Sequence, residues 1–135
     1  MKTWTDKLNS GVQHEVKPVP VNIAGMKIGE MMLVPTARQV DDFIRTLPKG
    51  KQMDIQTLRQ SLAKQNGAEV TCPITTGFHL RTVAEAAFET YQQNGDLDAM
   101  TPFWRVLSAQ TPTISRLSFG TVFVTEQRLK EGLKD

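Results

Sequence analysis

From Pro35 onward, apolar residues recur every three or four positions in short runs, and glycine or proline cuts each run off. A chain written this way must assemble its core from several short amphipathic helices, with little room for sheet. The first run places Val40, Phe43, Ile44 and Leu47 on one face. Pro35-Thr36 offers it a start, and Pro48 and Gly50 stop it. Asp54 is the expected N-cap of a second helix reaching Lys64, with Ile55, Leu58 and Leu62 on its apolar side, and Asn66-Gly67 closes it. After a loop at Val70–Pro73, a longer third helix is expected. Thr75 or Thr76 caps it, Leu80, Val83, Ala84, Ala87 and Tyr91 form its buried stripe, and Asn94-Gly95 ends it. The segment from Pro102 to Leu107 reads as a loop entering a strand, and Gly120 to Val124 as a brief strand or turn. A last helix covers about Thr125 to Glu131 and stops at Gly132.

Residues 1–31 read differently. Gly11, Pro18, Pro20, Gly25 and Gly29 interrupt them, and no period survives for long. They are expected to form an extended N-terminal arm, with Trp4 and Leu8 placed to anchor a short helix. The compact domain then runs from residue 32 to 135. The 135 residues suit one core, and no apolar run approaches the roughly 20 residues of a membrane span. Met1–Ser10 has no apolar stretch of the signal-peptide kind, so a soluble, cytoplasmic protein is expected. Residues 1–67 hold ten Lys and Arg against six Asp and Glu, whereas the rest holds six against eight. That mild positive lobe is compatible with a phosphate-bearing partner without demanding one.

Groups able to do chemistry are few. His14 and His79 lie far apart and show no zinc-binding spacing, so no metal and no cofactor are implied. Pro48-Lys49-Gly50-Lys51 is basic and tight but lacks the pattern of a phosphate-cradling loop. Asp41-Asp42 and Asp96-Asp98 read as solvated caps. Cys72, the single cysteine, reads as a small half-buried residue. The alternative is a nucleophile at the mouth of the third helix, whose dipole would favour the thiolate.

Helix, tight turn, helix, loop and longer helix is the skeleton of a helix-turn-helix or winged-helix DNA binder. Its third helix would be the reader. The outward side chains expected on it are Thr75, Thr76, His79, Arg81 and Thr82, with Lys51 supplying a further cation from the turn. Glu85 and Glu89, further along, are unsuited to phosphate. A plain helical domain with a solvated face satisfies the same periodicity.

Three short motifs then fall in an informative order: Thr46-Leu47-Pro48-Lys49-Gly50-Lys51, Pro102-Phe103-Trp104-Arg105-Val106 and Leu129-Lys130-Glu131-Gly132. Together they make the stretch from Met32 to Gly132 resemble the C-terminal DNA-binding domain of O6-alkylguanine-DNA alkyltransferases, and more closely their alkyltransferase-like relatives. In that alignment the methyl-accepting cysteine falls on Phe103 and its activating histidine on Trp104. The tyrosine that assists nucleotide rotation falls on Ile55. The arginine that fills the gap in the base stack falls on Ile74 when aligned on Gly77 and on Arg81 when aligned on the following Arg-x-Val pattern, and Arg81, with its planar cation, is the candidate. With no thiolate at Phe103, methyl transfer at the usual loop has no acceptor. The resemblance therefore implies a non-catalytic winged-helix protein that binds double-stranded DNA and recognises O6-alkylguanine. Phe103, Trp104 and Arg105 would lie at the base pocket. Arg105 has a structural alternative, capping a helix and pairing with Glu85 or Asp98, and the two aromatic residues have a core alternative. Two rival functions follow from the same residues. One is a thiol enzyme using Cys72; the other is an adaptor that kept the fold and engages a protein partner through its N-terminal arm.

Overall fold

The computed structural model describes residues 3–134. It is mainly helical with one small sheet, as the short amphipathic runs require. Helix α1 (Trp4–Leu8) opens on a capping box between Thr3 and Asp6. Strands β1 (Glu15–Pro18) and β2 (Met31–Val34) pair antiparallel, and β2 pairs in parallel with β3 (Val70–Thr71), Met32 opposite Val70 and Leu33 opposite Thr71. Helices α2 (Ala37–Arg45) and α3 (Ile55–Gln65) lie between β2 and β3. Thr36 caps α2 with Gln39 as reciprocal partner, and Asp54 caps α3 by accepting from the Thr57 N–H at 2.7 Å.

Helix α4 (Pro73–Asn94) is the longest element. It starts at Pro73, earlier than a threonine cap would allow, because proline suits the first helical position, where no intrahelical donor is needed. It ends at Gly95, whose φ of 66° lies in the left-handed region that glycine adopts freely. Three 3₁₀ turns follow, at Leu97–Ala99, Phe103–Arg105 and Pro112–Arg116, before helix α5 (Val122–Glu131). No strand forms at 102–107. The N–H groups of Arg105, Val106 and Leu107 bond to carbonyls of Pro102 and Phe103 within the turn. Residues 120–121 lead directly into α5 rather than forming a strand. All three strands of the described residues precede α4.

The segment 3–31 is tied to the body. The Trp4 and Thr5 N–H groups and the Thr5 hydroxyl donate to the Glu89 carboxylate on α4, and Leu8 is buried. β1 supplies a third of the sheet. Beyond it Val19 and Met26 bury themselves with Met32 and Cys72 in a small second core. The extended arm expected there is thus a helix, a strand and a folded loop. The main core gathers Leu33, Val40, Ile44, Leu58, Leu62, Leu80 and Val83 with Phe103, Leu107 and Val124. Among the described residues no helix is long and apolar enough to cross a membrane.

Candidate functional site

The three motifs meet at one carboxylate, across a sequence separation of up to 81 residues. Glu131, in the last turn of α5, accepts from the Gly50 N–H at 3.0 Å, from Trp104 Nε1 at 2.7 Å, and from Arg105 Nε and Nη2 at 2.9 Å each. Arg105 also donates to the Leu47 carbonyl at 2.7 Å, and the Arg105 carbonyl accepts from the Met53 N–H. One helical turn earlier, Arg128 donates to the carbonyls of Trp104 and Leu107 and to Gln52 Oε1. α5 therefore clamps the 103–107 turn and the 47–53 turn together from two successive levels. Arg105 pairs with Glu131, not with Glu85 or Asp98. The Glu131 side chain is only 6% exposed, and burial alone would raise its pKa. The hydrogen bonds from Arg105, Gly50 and Trp104, with the charge of Arg105, outweigh that and hold it at about 2.

Phe103 and Trp104 do not line an open pocket. Phe103 is fully buried, and both rings pack with Phe123; Phe103 also packs with Phe119, which stacks on Phe88 at 4.1 Å between ring centres. Large rings bury their area where the core can take them, and this corrects their placement at a base pocket. Arg105 alone of that trio borders a cleft, about 330 Å³ in volume, with Arg45, Lys49, Lys130 and Asp98 around it. Asp41 corrects a second expectation. It is 1% exposed and accepts from Thr101 Oγ1 and Arg45 Nε, at 2.5 and 2.9 Å, so it is a buried anchor rather than a solvated cap.

The expected reader residues on α4 separate into inward and outward groups. Thr76 is fully buried and donates to the Cys72 carbonyl, so it cannot face a ligand. His79 lies against the N-terminus of α2, its Nε2 2.8 Å from the Pro35 carbonyl. Burial pulls its pKa below 6.5, and the bond to Pro35 opposes the shift. Thr75 donates to Cys72 Sγ at 3.3 Å and Thr82 to the Phe78 carbonyl. Arg81 lies over the Trp4 ring with its Nε 3.7 Å from Glu85 Oε2, while its flank borders a surface groove. Lys51 is exposed on the 48–51 turn and does not border that groove.

Two more exposed side chains at the start of α4, beside Arg81, were not among the expected reader residues. Ile74 and Phe78 are 50% and 61% exposed, on the same face as Gly77 and Arg81. With Pro112, Thr113 and Arg116 they border a groove of about 330 Å³. The positions 74, 78 and 81 share a helical spacing that could have found them. At Pro112 the groove adjoins a larger cleft of about 700 Å³ between the start of α3 and the 106–112 segment. Gln52, Ile55, Thr57, Val106 and Ser108 are among the residues around it. Cys72 lies buried at the N-cap of α4 in the second core. Among the described residues, no group of three His, Cys, Asp or Glu side chains is placed to hold a metal ion. Compared with family models, with curated proteins and with solved structures, the chain finds no match in any of the three.

Proposed function

We propose that this chain is a non-catalytic DNA-binding protein of the alkyltransferase-like type, acting in the cytoplasm on duplex DNA that carries O6-alkylguanine. The observation that carries the reading is the meeting of the three motifs at Glu131. Their convergence on one carboxylate makes the three segments parts of a single structural unit, as motifs of one domain would be. In this reading α2, α3 and α4 serve as the helix-turn-helix core of a winged-helix-like domain, and the N-terminal face of α4 meets the duplex. The base site moves from Phe103 and Trp104 to the adjoining cleft at Ile55, Val106 and Ser108, whose volume exceeds that of a nucleobase. A buried phenylalanine at the acceptor position leaves recognition without transfer.

Fluorescence anisotropy against matched duplexes with and without one O6-methylguanine, across a salt series, tests it. Tighter binding of the modified duplex is expected, with affinity falling as salt rises through release of counterions. No binding to either duplex at low salt would overturn the reading and leave the adaptor role in its place.

A further inference from the structure

We infer that the groove at the start of α4 is a stacking site for an unpaired nucleobase, with Phe78 as its platform. This rests on the outer face of α4 being the nucleic-acid face, and adds a ligand that the duplex reading does not require. Phe78 is among the largest apolar side chains left exposed, and it stands clear of the surface at 61% exposure instead of filling the core below it.

Gly77 beside it is the second observation. Its backbone is helical with no positive φ, and a Cβ built on it would meet no atom within 4 Å. Neither conformation nor packing calls for glycine there, although glycine weakens a helix interior. What the missing side chain leaves is bare backbone on the border of the groove, which Pro73, Phe78 and Pro112 also line.

Charge points the same way. Arg81 and Arg116 border the groove, and no carboxylate does. Arg116 forms no ion pair among the described residues. An exposed aromatic ring in a groove bordered by Arg116, and by the flank of Arg81 whose guanidinium lies at Trp4 and Glu85, matches the chemistry of single-stranded nucleic acid, in which each base offers a π-face and each phosphate a negative charge.

The test uses the whole chain and a fluorescein-labelled oligothymidylate, titrated at low salt beside a matched duplex. Phe78→Ala and Phe78→Leu should each weaken single-strand binding by roughly five- to 150-fold, the range of one lost base stack, while Phe78→Trp retains it. Gly77→Ala should weaken binding while the helix content seen by circular dichroism is kept. Phe78→Leu binding as tightly as the parent would overturn the proposal, because an apolar contact would then suffice. So would self-association of the parent, seen by sedimentation and abolished by Phe78→Ala, which would make the groove a contact between copies. Duplex binding unaffected by every Phe78 variant, with no single-strand binding, sinks this inference and leaves the proposed function standing. Single-strand binding without duplex binding does the reverse.

Discussion

Replacing Glu131 by glutamine removes one charge while nearly conserving volume, and it isolates the ionised carboxylate from the space it fills. Free in the unfolded chain, the group titrates near 4.5; in the folded protein it titrates at about 2. That difference corresponds to about 3 kcal/mol of stability at neutral pH. A similar figure follows from what is left behind: Arg105, 13% exposed, would lose its charged partner, and breaking such a pair from one side costs about 3 kcal/mol or somewhat more. The sign follows from the depressed folded pKa. The contribution is present in full above pH 4.5 and is lost as pH falls through 4.5 toward 2. Urea unfolding of the parent and Glu131→Gln, measured in parallel from neutral pH downward, should show a gap of about 3 kcal/mol that narrows steadily below pH 4.5. Taking the difference cancels the titration of every other carboxylate. A gap that stays constant from neutral pH to pH 3 would refute the reasoning, since the loss would then come from altered packing and not from the charge.

Two further outcomes are open to direct measurement. Gly77→Ala should stabilise the fold by about 0.5–1 kcal/mol, raising Tm by about 2–4 °C, because its Cβ enters open space; a fall in Tm would mean the helix surface there is packed. Asp41→Ala should cost about 2–4 kcal/mol, because it strips Thr101 and Arg45 of a shared buried acceptor. A change below about 0.5 kcal/mol in urea unfolding would place Asp41 with ordinary surface residues.

Where the controlling interaction is local, the sequence is easy to read. The caps at Thr36 and Asp54 and the stop at Gly95 act over three or four residues and stand where their residue types indicate. Legibility fails where the partner is remote. Asp41 carries the signature of a helix-start carboxylate, but its hydroxyl partner is 60 residues away. Residues 1–31 have no period of their own because β1 needs β2, and α1 needs Glu89 across 84 residues. Phe103 and Trp104 fall in a run too short for periodicity to separate turn from strand, and it was the aromatic cluster with Phe119 and Phe123 that decided. The motifs were legible as strings. That a single carboxylate joins them was not, since Glu131 in sequence is only the end of a helix.

The order in which a ribosome delivers these parts gives Glu131 one more role. Both turns it ties, at 47–53 and 103–107, are synthesised well before the carboxylate, the first of them some 80 residues ahead. Until α5 has left the exit tunnel, the Gly50 N–H, the Trp104 indole and the Arg105 guanidinium have no common acceptor. The nascent chain can assemble α2, α3 and α4 around their apolar faces but cannot close the motif network. α5 thus acts as a latch set late in synthesis.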